Sequence, residues 1–219
     1  SLNKKNILIS NNMILITQLF KTNEIRLQEI LKALKKNTEN EYIKEIVLLN
    51  EEYINLKFNS KKIKQYIVKD RLTYKKAFDY ANKYIEKNEI VILLNCDIWF
   101  DNTIKLVNNY DMNNTIIALS RYDAQKNGTY KLFNRPDSQD CWIFKNPISL
   151  EYDHKFVLGK GGCDNRIAWI VNNSKKNNIK YNIINPATII KSYHEHISNI
   201  RNWKNKDIIS PPYHFIPIT

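Results

Sequence analysis

Four short segments hold most of the side chains that could do chemistry. The run Asn95-Cys96-Asp97-Ile98-Trp99-Phe100-Asp101 puts carboxylates directly after the strongly apolar Ile90–Leu94. At the end of a buried strand such carboxylates can hold Mn²⁺ or Mg²⁺, hard cations that take oxygen ligands and keep waters and substrate phosphates in their shell. A cation there would act as a Lewis acid on a departing diphosphate. The plainer alternative makes Asp97 a helix cap and Asp101 a solvated surface charge. The second segment, Gly159-Lys160-Gly161-Gly162-Cys163-Asp164-Asn165-Arg166, collects three of the chain's four glycines. In so Gly-poor a chain, this clustering calls for positive φ or close approach of the backbone to a ligand. Asp164 or Asn165 then opens a helix. Asp164 could serve as its cap, or as the base that takes the proton from an acceptor hydroxyl.

The third segment, Ser138-Gln139-Asp140, precedes the apolar Cys141-Trp142-Ile143-Phe144 and makes Asp140 a second candidate for that base. Trp142 reads first as a core aromatic and second as a sugar-stacking platform. In the fourth, Tyr193-His194-Glu195-His196, a strand would turn both imidazoles to one face, where His194 or His196 could complete a metal shell or contact phosphate. A zinc pair lacks a third His or Cys at suitable spacing. Arg71 and Arg121 each follow an apparent strand, and either could reach a diphosphate through its fork of donors. Arg71 is preferred on position.

These residues need a frame. Met13–Phe20, Ile43–Asn50, Ile63–Val68 and Ile90–Leu94 read as buried strands. Helices are expected over Glu24–Lys36, capped by Thr22 or Asn23, with the apolar stripe Ile25, Leu27, Ile30, Leu31 and Leu34, and over Leu72–Lys87. Alternation of this kind predicts an α/β fold with a mostly parallel central sheet flanked by helices. Ligands in such sheets sit beyond the carboxyl ends of the strands, where Thr17, Gln18, Asn50, Arg71, Asn95 and Asp97 fall. Beyond Asp101 the pattern predicts strands at Thr115–Ser120 and Cys141–Phe144, joined by a polar loop or hairpin. A turn at Phe156–Gly162, a helix at Arg166–Lys176 and closing strands at Tyr181–Ile184 and Ala187–Tyr193 follow, with an extended Pro-rich tail from Ser210. No repeat or linker interrupts this. The expectation is one domain over 1–219, with a nucleotide-binding half to about 101 and an acceptor-binding, catalytic half after it.

Composition sets outer bounds. The 219 residues, 43% hydrophobic, can bury a core of their own. No apolar run is long enough to span a bilayer, and no secretory pattern opens the sequence. Cys96, Cys141 and Cys163 are odd in number and form no CxxC pair, which points to a reducing, cytoplasmic setting. A net charge of +12 suits a polyanionic ligand, but the basic residues are scattered and match no nucleic-acid-binding motif, so nucleic acid is not the expected partner.

Taken in order, these segments resemble the GT-A nucleotide-sugar glycosyltransferases. The likeness is to small soluble enzymes such as those with which large DNA viruses glycosylate their capsid proteins. It rests on Thr17-Gln18-Leu19-Phe20, Ile46-Val47-Leu48-Leu49-Asn50-Glu51, Arg71-Leu72-Thr73-Tyr74, Asn95 to Asp101, Ser138 to Phe144, Gly162 to Arg166 and Tyr193 to His196. The resemblance implies a GT-A, Rossmann-type fold and transfer of a hexose from a UDP-sugar to a hydroxyl of a glycan or glycoprotein, with inversion. Asn95-Cys96-Asp97 stands where the family has DxD, which makes Asp97 the metal-binding carboxylate for Mn²⁺ or Mg²⁺ and His196 or His194 a further ligand. Thr17, Gln18 and Asn50 match positions around the nucleoside, and Arg71 a position near the ribose and diphosphate. Asp164 matches the catalytic base, although Cys163 replaces a residue that is often acidic. Two rivals remain: a nucleotidyltransferase making the sugar nucleotide, and a basic nucleic-acid-binding module. The first would be expected to carry a Gly-rich loop after its first strand, and Phe20-Lys21-Thr22-Asn23 has no Gly.

Overall fold

The computed structural model describes residues 13–200 and 204–219, so the N-terminal stretch in which no secretory pattern was read lies outside the described residues. Four strands, β1 (Met13–Thr17), β2 (Ile43–Asn50), β3 (Ile63–Ile67) and β4 (Ile90–Leu94), run parallel, with β1 between β2 and β4. The apolar runs of β1, β2 and β4 are buried on both faces, as parallel strands covered by helices require, whereas β3, read from the sequence as buried, is the sheet's edge strand and is half-exposed or exposed along its length. The sheet continues through β9 (Cys141–Lys145) to β6 (Thr115–Leu119) and β10 (Asn182–Ile184), in the order β10-β6-β9-β4-β1-β2-β3. Only β9 is reversed, pairing antiparallel with both β4 and β6. The sheet is therefore mixed and mostly parallel. The reversal brings the start of β9, at Asp140, to the same rim as the ends of β1 and β4.

Period-two alternation divides the core. Ile14 and Ile16 face α2 (Tyr74–Tyr84) and α3 (Cys163–Asn173), while Met13 and Leu15 face α1 (Glu24–Glu39). Asn23 caps α1 by accepting from Arg26 N, and Thr73 caps α2 by accepting from Lys76 N. The helix expected at Arg166–Lys176 begins three residues earlier, at Cys163. Its cap is Gly162 at φ 77°, with no side-chain bond, so neither Asp164 nor Asn165 is the cap.

A smaller sheet, β5-β11-β7-β8, lies beside the main one, formed by β5 (Ile98–Phe100), β11 (Ser192–His194), β7 (Tyr122–Ala124) and β8 (Tyr130–Leu132). The closing strand expected over Ala187–Tyr193 is thus cut to three residues that pair with this second sheet. β5, directly after the carboxylate turn, was not anticipated. Helix α1 holds it: Asn37 Nδ2 donates to Ile98 O (2.8 Å), and Phe100 N donates to Asn37 Oδ1 (3.1 Å). A side-chain amide thereby stands in for a neighbouring strand.

Candidate active site

The carboxyl rim of the main sheet opens into a cleft of about 400 Å³, within the range of small-molecule sites. Among its lining are Asn95, Asp97, Asp140, Asp164, His194 and His196. Residues far apart in sequence therefore meet at one place.

Asp97 sits in the tight turn between β4 and β5 and is 5% exposed. It does not cap a helix. Asp101 does, accepting from Thr103 N at the start of a 3-10 segment. The Oδ2 oxygen of Asp97 accepts from His194 Nε2 at 2.9 Å and from Arg26 Nη2. Burial alone would raise the Asp97 pKa, but His194 and Arg26 outweigh it and hold the carboxyl well below the usual range. His194 Nδ1 faces Asp123 Oδ1 at 2.8 Å. Burial disfavours the imidazolium, yet Asp97 and Asp123 together push its pKa up to about 9. His196 Nδ1 lies 3.9 Å from Asp97 Oδ2, while its Nε2 is engaged by Ile200 O at 3.0 Å. Burial, Arg26 and His194 all lower the His196 pKa, which leaves the ring neutral.

One oxygen of Asp97 and one nitrogen of each His lie within 4.8 Å of one another. Each imidazole turns one nitrogen toward Asp97 and has the other engaged by a carboxylate or a carbonyl, the arrangement that orients histidine ligands. Together they could hold a divalent metal ion; two imidazoles beside one carboxylate suit a transition metal such as Mn²⁺, whereas Mg²⁺ takes oxygen ligands. Two features oppose that fit: the Arg26 guanidinium shares the same carboxylate oxygen, and His194, with its pKa pushed up to about 9, has to give up a proton before it can be a ligand.

The first carboxyl group of the expected DxD motif is replaced by Asn95, and the structure gives that side chain other work. Its Nδ2 donates to Asp140 Oδ1 at 2.9 Å. Asp140 is also held by Arg121 Nη1 on its other oxygen at 2.6 Å, and Arg121 Nε bonds Asp123 at 2.8 Å. Arg121 is thereby spent within the protein. Asp164, in the first turn of α3, lies partly open to the cleft and accepts from Cys163 Sγ at 3.2 Å. Burial, and then the charge of Asp140, push its pKa up to about 8. Of the two candidate bases, Asp140 is pinned by a guanidinium and an amide, whereas Asp164 is the one poised to gain or lose a proton near neutral pH.

The nucleoside residues read from the sequence fare differently. Thr17 and Gln18 line the cleft, but the Thr17 hydroxyl donates to Leu94 O at 2.9 Å. Gln18 Nε2 donates to Leu49 O and Asp70 O, and its Oε1 accepts from Leu72 N at 2.8 Å. Asn50 is fully buried, accepts from Leu19 N, and is not part of the cleft lining. These three side chains tie strand ends together. Arg71 does reach the cleft, where its guanidinium lies over the Phe20 ring, 4.4 Å from the centroid. Trp142 is 2% exposed in the core and cannot stack on a sugar.

Sequence reasoning missed Arg26. Its signal was the phase of α1: Arg26, Ile30, Ala33 and Asn37 form the buried stripe, while Ile25, assigned to that stripe, is 64% exposed. A charged residue in a buried phase demands a partner.

No protein-family profile and no curated protein matches the chain. Among solved structures, the fold is similar to the mannosyltransferase PcManGT from Pyrobaculum calidifontis, determined in complex with GDP-Man and Mn²⁺. The TM-score is 0.50 at 12% identity, over 84% of this chain and 56% of that one. The present chain thus spans little more than half the length of that protein. Two fainter likenesses have a TM-score of 0.44. One is to 4-diphosphocytidyl-2C-methyl-D-erythritolsynthase from Anaerococcus prevotii, at 10% identity over 90% of this chain and 95% of that one. The other, to the inositol-1-phosphate CTP transferase from T. maritima, is at 8% identity over 88% and 92%. The chain shares with that mannosyltransferase an α/β fold with a mixed, mostly parallel sheet flanked by helices. Among the described residues no helix is long and apolar enough to cross a membrane.

Proposed function

We infer that the chain is a glycosyltransferase that moves a hexose from a nucleoside-diphosphate sugar, UDP-linked in the first instance, to a hydroxyl of a glycan or glycoprotein with inversion. The observation that carries this reading is the shared cleft: the Asp97, His194 and His196 cluster and a carboxyl group with a pKa near 8 line the same cavity. The first suits a diphosphate leaving group and the second suits deprotonation of an attacking hydroxyl.

In this reading Asp164, once ionised, accepts the acceptor's hydroxyl proton as the oxygen attacks the anomeric carbon. The bond from that carbon to the diphosphate oxygen breaks, and the electron pair leaves with the nucleoside diphosphate. Asp140, held in place by Arg121 and Asn95, stands beside Asp164 and raises its basicity. Arg71 and Lys160, on the cleft lining, supply cationic groups for the diphosphate. A divalent cation held by Asp97, His194 and His196 would neutralise charge on the departing diphosphate. The half of the chain before about residue 101 would serve the nucleotide and the remainder the acceptor. The likeness to virus-encoded capsid glycosyltransferases rests on the sequence motifs alone.

The nucleotidyltransferase alternative is disfavoured by the absence of any glycine between β1 and α1, where a phosphate-wrapping loop would lie. A donor-hydrolysis screen over UDP-, GDP- and dTDP-sugars with Mn²⁺ tests the reading. GDP-sugars are included because PcManGT was solved with GDP-Man. Calorimetry with UDP and GDP, with and without Mn²⁺, is the companion measurement. No nucleoside diphosphate binding under any of these conditions would sink the proposal.

A further inference from the structure

Arg26 is 4% exposed and lines the cleft at Asp97. Its Nη2 bonds Asp97 Oδ2, while Nη1 donates to Glu29 Oε2 and to Glu195 O, each at 2.9 Å. Glu29 in turn accepts from the backbone and hydroxyl of Ser198, both at 2.7 Å. The guanidinium is therefore fastened between α1 and the segment that carries His194 and His196. A guanidinium stays charged at any accessible pH, so it cannot give way to a metal by losing a proton, as an imidazole can. A dication using Asp97 has to share that carboxylate with a permanent neighbouring cation, at a site where water screens little.

We propose that Arg26 is a resident counter-ion of Asp97 that keeps divalent-cation affinity low until a diphosphate arrives. This rests on the metal reading of the Asp97, His194 and His196 cluster and adds a coupling that the cluster alone does not contain. The anionic diphosphate compensates the excess positive charge of Arg26 plus metal, so metal and diphosphate favour each other's binding. The coupling is reciprocal by thermodynamic necessity. Arg26 acts as a positioning residue through Asp97, and the enzyme holds its metal as a complex with the donor rather than as a standing cofactor. Glu29 belongs to the same device, because its charge offsets part of that of Arg26.

The test is a titration of the nucleotide-free protein with Mn²⁺, read from the loss of the free-ion electron paramagnetic resonance signal, and repeated in the presence of UDP. Arg26→Gln should bind Mn²⁺ alone about tenfold more tightly than the wild type or better, within the usual range of coupling between sites. Arg26→Lys, which keeps the charge, should stay close to the wild type. Glu29→Gln should weaken Mn²⁺ binding severalfold, and it keeps the proposal testable if Arg26→Gln fails to fold. Damage to the fold would weaken metal binding, so tighter binding by Arg26→Gln is a signature that a purely structural role does not give. Mn²⁺ binding that depends on Asp97 but is indifferent to both Arg26→Gln and Glu29→Gln overturns the inference and leaves the metal reading standing. No Mn²⁺ binding by wild type or Arg26→Gln, with or without UDP, overturns both.

Discussion

Asp164→Asn isolates the group on which the proposed chemistry turns. In the folded chain the carboxyl sits at about 8 against an ordinary 3.8, because burial and the neighbouring Asp140 oppose its ionisation. Arg121 and the Cys163 thiol act in the opposite sense without cancelling this, and Tyr74, whose hydroxyl approaches Cys163 Sγ at 3.9 Å, stays neutral. The first turn of α3 also favours the anion, by about 0.5 kcal/mol. Since the folded pKa is the higher one, the neutral form stabilises the fold. That contribution is complete below the unfolded carboxyl's pKa and is lost as pH climbs toward 8. Between those limits the native state holds one proton more than the unfolded state, so stability should fall by about 1.4 kcal/mol per pH unit from this group alone. Asparagine has the same shape and no proton to lose. Urea denaturation of both proteins from about pH 5 to pH 8 should therefore show the variant gaining on the wild type by roughly 4 kcal/mol, with the other titrating groups cancelling in the difference. The same variant should lose turnover, and wild-type kcat/KM should rise with pH to a plateau above about 8. A stability difference that does not change with pH refutes the assignment, because it would mean that Asp164 is already ionised at neutral pH.

Four further outcomes follow from the contacts. Asp97→Ala should abolish turnover and also cost about 3–5 kcal/mol in denaturant unfolding, because Arg26 and His194 lose a shared buried counter-ion; a cost under about 1 kcal/mol would mean that the ion pair does not hold the fold. Gln18→Ala should lower stability by roughly 2–3 kcal/mol, since it strips partners from Leu49 O, Asp70 O and Leu72 N; unchanged stability with weakened UDP binding would return Gln18 to the nucleoside. Asn95→Asp restores the expected DxD letters but should destabilise by about 1–3 kcal/mol above pH 7, because it exchanges a hydrogen bond to Asp140 for a like charge; tighter Mn²⁺ binding without that loss would contradict the role given to Asn95. Gly162→Ala should cost more than about 1 kcal/mol, since the position has φ 77° and an added Cβ would meet Ile209 O and the Tyr213 hydroxyl at 2.7 Å; the thermal midpoint is the readout.

Much of the frame was legible because it is written in local pattern. Ile43–Asn50 and Ile90–Leu94 are apolar runs of strand length, and both are strands with those limits. The elements that escaped are those whose partners are distant. β5 has three residues and exists because β11 and the Asn37 amide take up its backbone groups. The turn from Ala187 to Lys191 is as apolar as a strand, yet only Ser192–His194 finds a sheet to join. Gly162 opens α3 in place of Asp164 because the C-terminal tail occupies the space beside it, a constraint lodged some fifty residues away.

The site was legible in its residue types and less so in their assignments. Asp97, His194, His196, Asp140 and Asp164 do meet at one cleft, because strand ends share a rim whatever the spacing of the motifs along the chain. Thr17, Gln18 and Asn50 also stand at that rim, but a polar side chain at a strand end has two possible employers, ligand and neighbouring backbone. Sequence does not say which one it serves. In the structure Gln18 bridges β2 and the loop before α2 and Asn50 reaches back to Leu19, while Thr17 and Gln18 also line the cleft. The converse error hid Arg26. Helical periodicity was read from apolar residues alone, which placed Ile25 inside and the neighbouring arginine outside. Reading the phase backward from Ile30, Ala33 and Asn37 puts Arg26 on the buried face. A cation there, ahead of a distant lone carboxylate in an Asn-x-Asp turn, is the pairing that a burial argument would have sought.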